Sequence, residues 1–124
     1  MTTFTLGITG TQSGMNAEQA TKFKKYLKQW STASRPDHRF TLDLIHGEAQ
    51  GVDTEAASIA NDLGINVLTP DTRTGHFARN REIVDRCDRL IVIPWQDEWQ
   101  PQGGTWYTHD YAKKKGVEVL VIWP

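Results

Sequence analysis

The sequence predicts an α/β fold, a three-layer sandwich in which helices cover both faces of a five-stranded, mostly parallel sheet. Two observations support this prediction. Five short apolar runs alternate with four longer segments whose apolar residues recur every three or four positions. The runs are largely continuous in their apolar character, which is typical of parallel strands buried on both faces.

The first three elements are expected at 4–9, 17–30 and 40–45. Residues 4–9 form a short apolar run that suits a buried strand. In 17–30 the apolar side chains fall on one helical face, and Asn16 is a plausible cap. A polar segment containing Pro36 separates this helix from the second strand at 40–45.

The middle of the chain is expected to continue with a helix over 52–63, a strand over 65–69 and a helix over 77–87. Gly64 suits the position after a helix end, where a left-handed backbone is common. The helix over 77–87 has a core face of its own. The residues assigned to that face are Phe77, Asn80, Ile83, Val84 and Cys87.

The last elements are expected at 90–93, 105–115 and 117–122. Pro94 stops the fourth strand because it cannot donate a backbone hydrogen bond. Three lysines near the end of 105–115 suit the negative end of a helix dipole, and Gly116 follows.

Composition limits the functions to consider. The 124 residues suit one domain over 1–124, and 14 basic against 15 acidic residues give a formal charge of −1. This balance makes nucleic acid an unlikely partner. One cysteine allows no internal disulfide, and neither a signal peptide nor a run of about 20 apolar residues is present. A cytoplasmic protein without membrane contact is therefore expected.

The stretch 46–53, His-Gly-Glu-Ala-Gln-Gly-Val-Asp, joins the second strand to the second helix. Gly47 and Gly51 let a ligand approach the main chain, and the helix start offers backbone N–H donors for an anion. Asp53 is expected to cap the first helical turn. A capped turn that binds no ligand is the alternative that these residues leave open.

Parallel sheets bind ligands beyond the carboxyl ends of their strands, so the loops at that edge should carry function. Glycines and hydroxyl residues also follow the first and fourth strands, at 10–14 and 103–108. Two of the loops at this edge, 46–53 and 103–108, bring glycines to helix starts, and one polyanion with two phosphates could use both. Neither loop matches the Walker A motif or the dinucleotide fingerprint.

Other residue types are less informative. Cys87 falls on an apolar helix face and is expected to be a buried structural thiol. The four histidines lack metal-ligand spacing, so neither a metal site nor a cofactor is expected. Trp95, Trp99, Trp106 and Tyr107 could stack on a base, form a subunit interface or form a lid.

The motifs together resemble the SLOG superfamily, with the YspA/YpsA-like branch as the nearest match. The resemblance rests on 46–53, on Arg79-Asn80 with the residues that follow, and on Gly103-Gly104-Thr105. LOG phosphoribohydrolases and the DNA-processing protein A fold are related. The resemblance implies a Rossmann-like fold that binds a nucleotide or a nucleotide-derived ligand such as an ADP-ribose species. Because dimers are common among these families, a homodimer or higher homo-oligomer is a further expectation by analogy.

The resemblance also implies a set of site residues. Arg79 and Asn80 would contact the ligand or brace the loops. It carries over Gly10, Thr11, Gly47, Gly51, Gly103, Gly104 and Thr105 as phosphate-binding elements. From their places in the same loops, the further expected ligand-binding residues are Gln12, Ser13, Glu48, Asp53, Trp95 and Thr108.

One departure from the LOG pattern bears on catalysis. LOG enzymes carry Gly-Gly-x-Gly-Thr-x-x-Glu, and Thr108 occupies the place of that glutamate here. A hydroxyl cannot replace a carboxylate that stabilises an oxocarbenium-like state or activates water. Glu48 is the remaining candidate for a catalytic acid. The sequence therefore favours a sensing or sequestering module over a hydrolase or transferase that cleaves an N-glycosidic or phosphate bond.

Overall fold

The sheet has the α/β architecture that the sequence predicts. The structure, a computed structural model, describes residues 2–30, 40–47, 50–95 and 104–124. Its strands are β1 (Thr2–Gly10), β2 (Phe40–Ile45), β3 (Asn66–Leu68), β4 (Arg89–Ile93) and β5 (Glu118–Val121). They form one sheet in the order β3-β2-β1-β4-β5. Every neighbouring pair is parallel, so the described sheet is wholly rather than mostly parallel.

The helices lie where the apolar periodicity predicts them, within a residue or two at each end. They are α1 (Ala17–Trp30), α2 (Val52–Asp62), α3 (His76–Arg86) and α4 (Gly104–Lys115). Within the described ranges, none of them combines the length and the apolar character that crossing a membrane would need.

The helices divide into two layers, which completes the three-layer sandwich. One core cluster joins α1 and α2 to the sheet through side chains such as Phe23 and Ala56, packed against Ile8 of β1. The other cluster joins α3 and α4 to the opposite face through Ile83 and Ala112. Side chains that alternate along β4 serve both clusters, which is why this strand is a continuous apolar run.

Cys87 belongs to the second cluster, as the sequence predicts. Its side chain is buried, and burial is the main cause that raises the pKa of the thiol to about 12. The thiol is therefore protonated at neutral pH and is a structural side chain. A Cβ on Gly7 would lie 3.0 Å from the Cys87 sulfur, so the absence of a side chain there lets α3 approach β1.

Strand order sets where a ligand can enter. The chain moves outward from β1 to β3 on one side and then returns to β4 on the other side of β1. The helices that follow β1 and β4, which are α1 and α4, therefore lie on opposite faces of the sheet, and a crevice opens at the carboxyl ends of these two strands.

Candidate functional site

A cleft of about 750 Å³ lies at this crevice, a size typical of small-molecule sites. Most of the residues that the sequence nominates line it. These are Gly10, Thr11, Gln12, Ser13, Gly47, Asp53, Arg79, Asn80, Trp95, Gly104 and Thr105. Two nominated residues, Gly51 and Thr108, are not among the lining residues. Two others, Glu48 and Gly103, lie outside the described residues.

The loop after β1 is fixed by its own backbone and by its neighbours. The Thr11 N–H donates to the carbonyl of Ile93 at the end of β4, 3.1 Å away. The Thr11 hydroxyl accepts the Ser13 N–H at 3.1 Å. A Cβ on Gly10 would lie 2.5 Å from a methyl carbon of Val52, so β1 and α2 touch through this glycine. The first wall of the cleft is therefore held between β4 and α2.

Gln19 is a positioning residue that the sequence analysis missed. Its Nε2 donates to the carbonyls of Pro94 and Ile122, at 2.9 and 3.0 Å. Its Oε1 accepts the Asn16 N–H while its own N–H donates to Asn16 Oδ1, a reciprocal capping box. The side chain is 2 % exposed. The Asn-x-x-Gln spacing at the start of α1 was the available signal.

The connection from β2 to α2 differs from the prediction. The residue before α2 is Gly51, so Asp53 lies inside the first helical turn and not at the N-cap, and the capping role expected of it is wrong. The buried Asp53 carboxylate instead accepts the Gly47 N–H at 2.9 Å. The Val52 N–H donates to the Thr11 carbonyl at 3.1 Å. The N–H groups of Gly47 and Val52 are therefore bonded within the protein, and that of Val52 is not the free donor expected at the start of α2.

Gly51 supports the cleft from behind. It has a φ of +82°, and a Cβ there would lie 2.5 Å from the carbonyl oxygen of Thr11. The loop after β1 therefore rests directly on this glycine. Its role in the structure is to seat that loop against α2.

Asn80 lies between the two glycine loops. A Cβ built on Gly104 would be 3.5 Å from Asn80 Nδ2, and one built on Gly47 would be 3.9 Å from Asn80 Oδ1. The side-chain amide therefore lies between the start of α4 and the β2–α2 connection. The role expected of Asn80, contacting the ligand or bracing the loops, stays a prediction.

Thr108 faces the interior. Its side chain is fully buried, and its hydroxyl donates to the Gly104 carbonyl at 2.7 Å. The position that holds the LOG glutamate therefore supports the first turn of α4 and does not reach the cleft. His46 is also buried and is not one of the lining residues.

Aromatic side chains form one rim of the cleft. Phe77 and Trp95 are 53 % and 64 % exposed, whereas Trp106 lines the cleft but is buried. The Phe77 ring packs 4.4 Å from that of Tyr107, which accepts a hydrogen bond from Arg81 at 2.8 Å. The assignment of Phe77 to the core face was wrong. Phe77 keeps the helical spacing of the core residues, but it lies in the first turn of α3, and its side chain is exposed.

The lining residues absent from the nominated set are Thr9, His76, Phe77, Pro94 and Trp106. His76 and Phe77 were not predicted because their positions in the sequence do not show whether the start of α3 lines a cleft or faces open solvent. Within the described part of the chain, no group of three or more histidine, cysteine or acidic side chains is arranged to hold a metal ion.

Glu82 fixes the loop that leads into α3. Its carboxylate accepts the Thr72 hydroxyl at 2.5 Å and the N–H groups of Asp71 and Thr72 at 2.6 and 2.9 Å. Arg86 completes the group at 2.8 Å. The hydrogen bond from the Thr72 hydroxyl is the largest cause that lowers the pKa of Glu82 from 4.5 to about 2.

This lowered pKa predicts a specific loss of stability in acid. The ionised Glu82 stabilises the fold above pH 4.5, and this contribution should disappear as the pH falls from about 4.5 to about 2. Glu82→Gln should therefore be less stable than the wild type at pH 6, and the difference should shrink toward pH 2. Urea unfolding across this range measures it. Asp62→Asn, which removes an exposed carboxylate of α2, is the control. A difference that stays constant with pH would contradict the prediction.

Comparison with models of known protein families, with curated proteins and with solved structures found no match to this chain.

Proposed function

We propose that this protein binds a nucleotide or nucleotide-derived ligand, such as a mononucleotide or an ADP-ribose species, and acts as a sensing or sequestering module. One observation carries the proposal. The cleft at the carboxyl ends of β1 and β4 combines a helix start at Gly104 and Thr105, a cationic side chain at Arg79 and exposed aromatic rings. A nucleotide needs a phosphate site and a flat apolar surface at one place.

The phosphate would lie against the start of α4. The first turn of α4 holds no acidic residue, so the positive end of its dipole is not neutralised by its own side chains. Thr105 adds a hydroxyl and Arg79 adds a guanidinium, which suits the bidentate binding of phosphate. The hydroxyls of Thr11 and Ser13 lie on the opposite wall of the same cleft.

The base would lie against the aromatic rim. Phe77 and Trp95 are more than half exposed at the cleft, an arrangement in which a heterocycle could cover apolar surface that water now contacts. Stacking of one base on an aromatic ring is worth about 1–3 kcal/mol. The same rings could instead meet a second copy of the chain, as the analogy with oligomeric SLOG proteins suggests.

The resemblance to the SLOG superfamily supports the ligand class, because its motifs supply Arg79, Asn80, Gly104 and Thr105 to the cleft. A lone, buried cysteine suits the reducing cytoplasm as the place of action.

Ligand binding should raise the melting temperature because a ligand that binds only the native state stabilises it. A nucleotide at 100 times its Kd should raise Tm by about 10 °C. Thr105→Ala should weaken binding about tenfold and Arg79→Ala about a hundredfold, with little change in the Tm of the protein alone. Thermal-shift assays with AMP, ADP and ADP-ribose, followed by calorimetry, measure these effects.

Thr3→Ala is the matched control, because Thr3 is an exposed residue near the start of β1, at the opposite edge of the sheet. It should leave binding unchanged. Absence of any shift with a broad nucleotide panel would overturn the proposal, and equal losses in Thr3→Ala and Thr105→Ala would remove the phosphate site from α4.

Cleavage of the bound nucleotide is the alternative. The observation that favours it is the Asp53 carboxylate, which lines the cleft and could act in place of the missing LOG glutamate. Release of free base from AMP or of phosphate from ADP, measured by chromatography and lost in Asp53→Asn, would establish hydrolysis. Binding of the nucleotide without release of base or phosphate would support the sensing or sequestering module over the hydrolase.

A further inference from the structure

The three helix starts that meet at the cleft differ in charge. The first turn of α2 carries two acidic residues, Asp53 and Glu55. Neither α3 nor α4 has an acidic residue in its first turn, and Arg79 lies near the start of α3. One end of the cleft is therefore acidic while the other end presents positive charge to a ligand.

Asp53 makes the α2 end unsuitable for phosphate. Its carboxylate is held in the cleft wall by the Gly47 N–H, and its side chain is 6 % exposed. A phosphate beside a carboxylate of such low exposure would suffer repulsion that solvent screens poorly. A hydroxyl group, in contrast, donates a hydrogen bond to a carboxylate, and such charge-assisted bonds are strong.

The Asn80 side chain lies between the two ends of the cleft. A Cβ on Gly104 would be 3.5 Å from the Asn80 amide, and one on Gly47 would be 3.9 Å from it. The acidic residues of these helix starts thus lie at the α2 end, and the cationic Arg79 lies near the start of α3. A ligand that offers phosphate oxygens at one end and hydroxyls at the other matches this order.

We infer that the cleft binds its nucleotide in one direction, with the phosphate at the start of α4 and the ribose hydroxyls on Asp53. Asp53 is then a specificity-determining residue. It selects ligands whose ribose hydroxyls are unmodified and rejects ligands that carry a phosphate on those hydroxyls. This inference rests on the proposed function, since it assigns the orientation of the ligand in the same cleft.

The wild-type protein tests the inference without any substitution. Calorimetry would compare AMP with 2′-deoxy-AMP, 3′-deoxy-AMP and adenosine 3′,5′-bisphosphate. Removal of a ribose hydroxyl that donates a hydrogen bond to the Asp53 carboxylate should weaken binding at least about tenfold. The bisphosphate should bind at least about a hundredfold more weakly than AMP, because its 3′-phosphate would meet the carboxylate.

Asp53→Asn separates charge from shape. The asparagine Oδ1 can still accept the Gly47 N–H, so the β2–α2 connection should keep its form. This variant should bind AMP more weakly than the wild type and should reject the bisphosphate far less. Thr105→Ala, in contrast, should weaken the binding of AMP and of both deoxynucleotides by the same factor, because all three ligands carry the same 5′-phosphate.

The outcomes distinguish this inference from the proposed function. If the wild type binds AMP and both deoxynucleotides equally, the nucleotide site stands and the role of Asp53 is overturned. Equal binding of AMP and the bisphosphate would overturn it as well. If AMP binds only with Mg²⁺ and Asp53→Asn removes that requirement, Asp53 holds a cation and not the ribose, which overturns the inference. If no nucleotide binds, both the proposed function and the inference fall.

Discussion

Replacement of Gly51 by alanine is expected to lower the free energy of unfolding by about 3 to 5 kcal/mol and to abolish ligand binding. Gly51 adopts φ 82° and ψ −121°, a region that side chains with a Cβ rarely enter. An added Cβ would also overlap the carbonyl oxygen of Gln12 and lie 2.5 Å from that of Thr11. Both atoms belong to the backbone of the cleft's first wall, so the loop itself must move.

Gly64→Ala is the matched control for this substitution. Gly64 also has a positive φ, +74°, but a Cβ there would meet no atom within 4 Å. It should therefore cost only about 1 to 2 kcal/mol, the penalty of the left-handed conformation alone, and leave binding intact. Urea unfolding and calorimetry with AMP measure both variants. Equal losses of stability would contradict the close seating of the loop on Gly51.

The fold was predictable because a sheet that is buried on both faces requires a simple pattern of apolar residues in the sequence. A strand such as β4 is apolar at every position over 90–93, where it packs in both core clusters, and each helix needs one apolar face toward the sheet. Strand order did not need to be known for the ligand edge to be inferred, since parallel strands all end at the same edge. Most nominated residues therefore line one cleft.

The roles within the cleft were less predictable, because they depend on which partner a polar group finds. Asp53 stands where a cap is common, but its carboxylate bonds to Gly47 six residues earlier in the chain. Thr108 stands in the motif, but its hydroxyl bonds to the preceding helical turn. Phe77 keeps the helical spacing of core residues, but it lies in the first turn of α3 and stays half-exposed beside Tyr107. The spacing of residues in the sequence determines which face of a helix or strand a side chain lies on. Contacts between different helices, strands and loops determine which group that side chain bonds to or packs against.

Gln19→Leu is expected to lower the free energy of unfolding by about 3 to 4 kcal/mol. The substitution keeps the approximate volume but removes both Nε2 donors, so that the carbonyls of Pro94 and Ile122 would lose these hydrogen bonds beside the core. It also removes the acceptor for the Asn16 N–H at the start of α1. Gln12→Leu, at an exposed position in the same region, is the control and should change stability by less than about 0.5 kcal/mol.

Gln19→Glu separates the two functions of this side chain. A carboxylate can still accept the Asn16 N–H, but it would place an oxygen without a proton against the carbonyls of Pro94 and Ile122. Protonation restores one donor, so the loss of stability relative to the wild type should be smaller at pH 4 than at pH 7. Unfolding by urea at the two pH values measures this change. A loss that is equal at both pH values would contradict the donor role assigned to Gln19 at the carbonyls of Pro94 and Ile122.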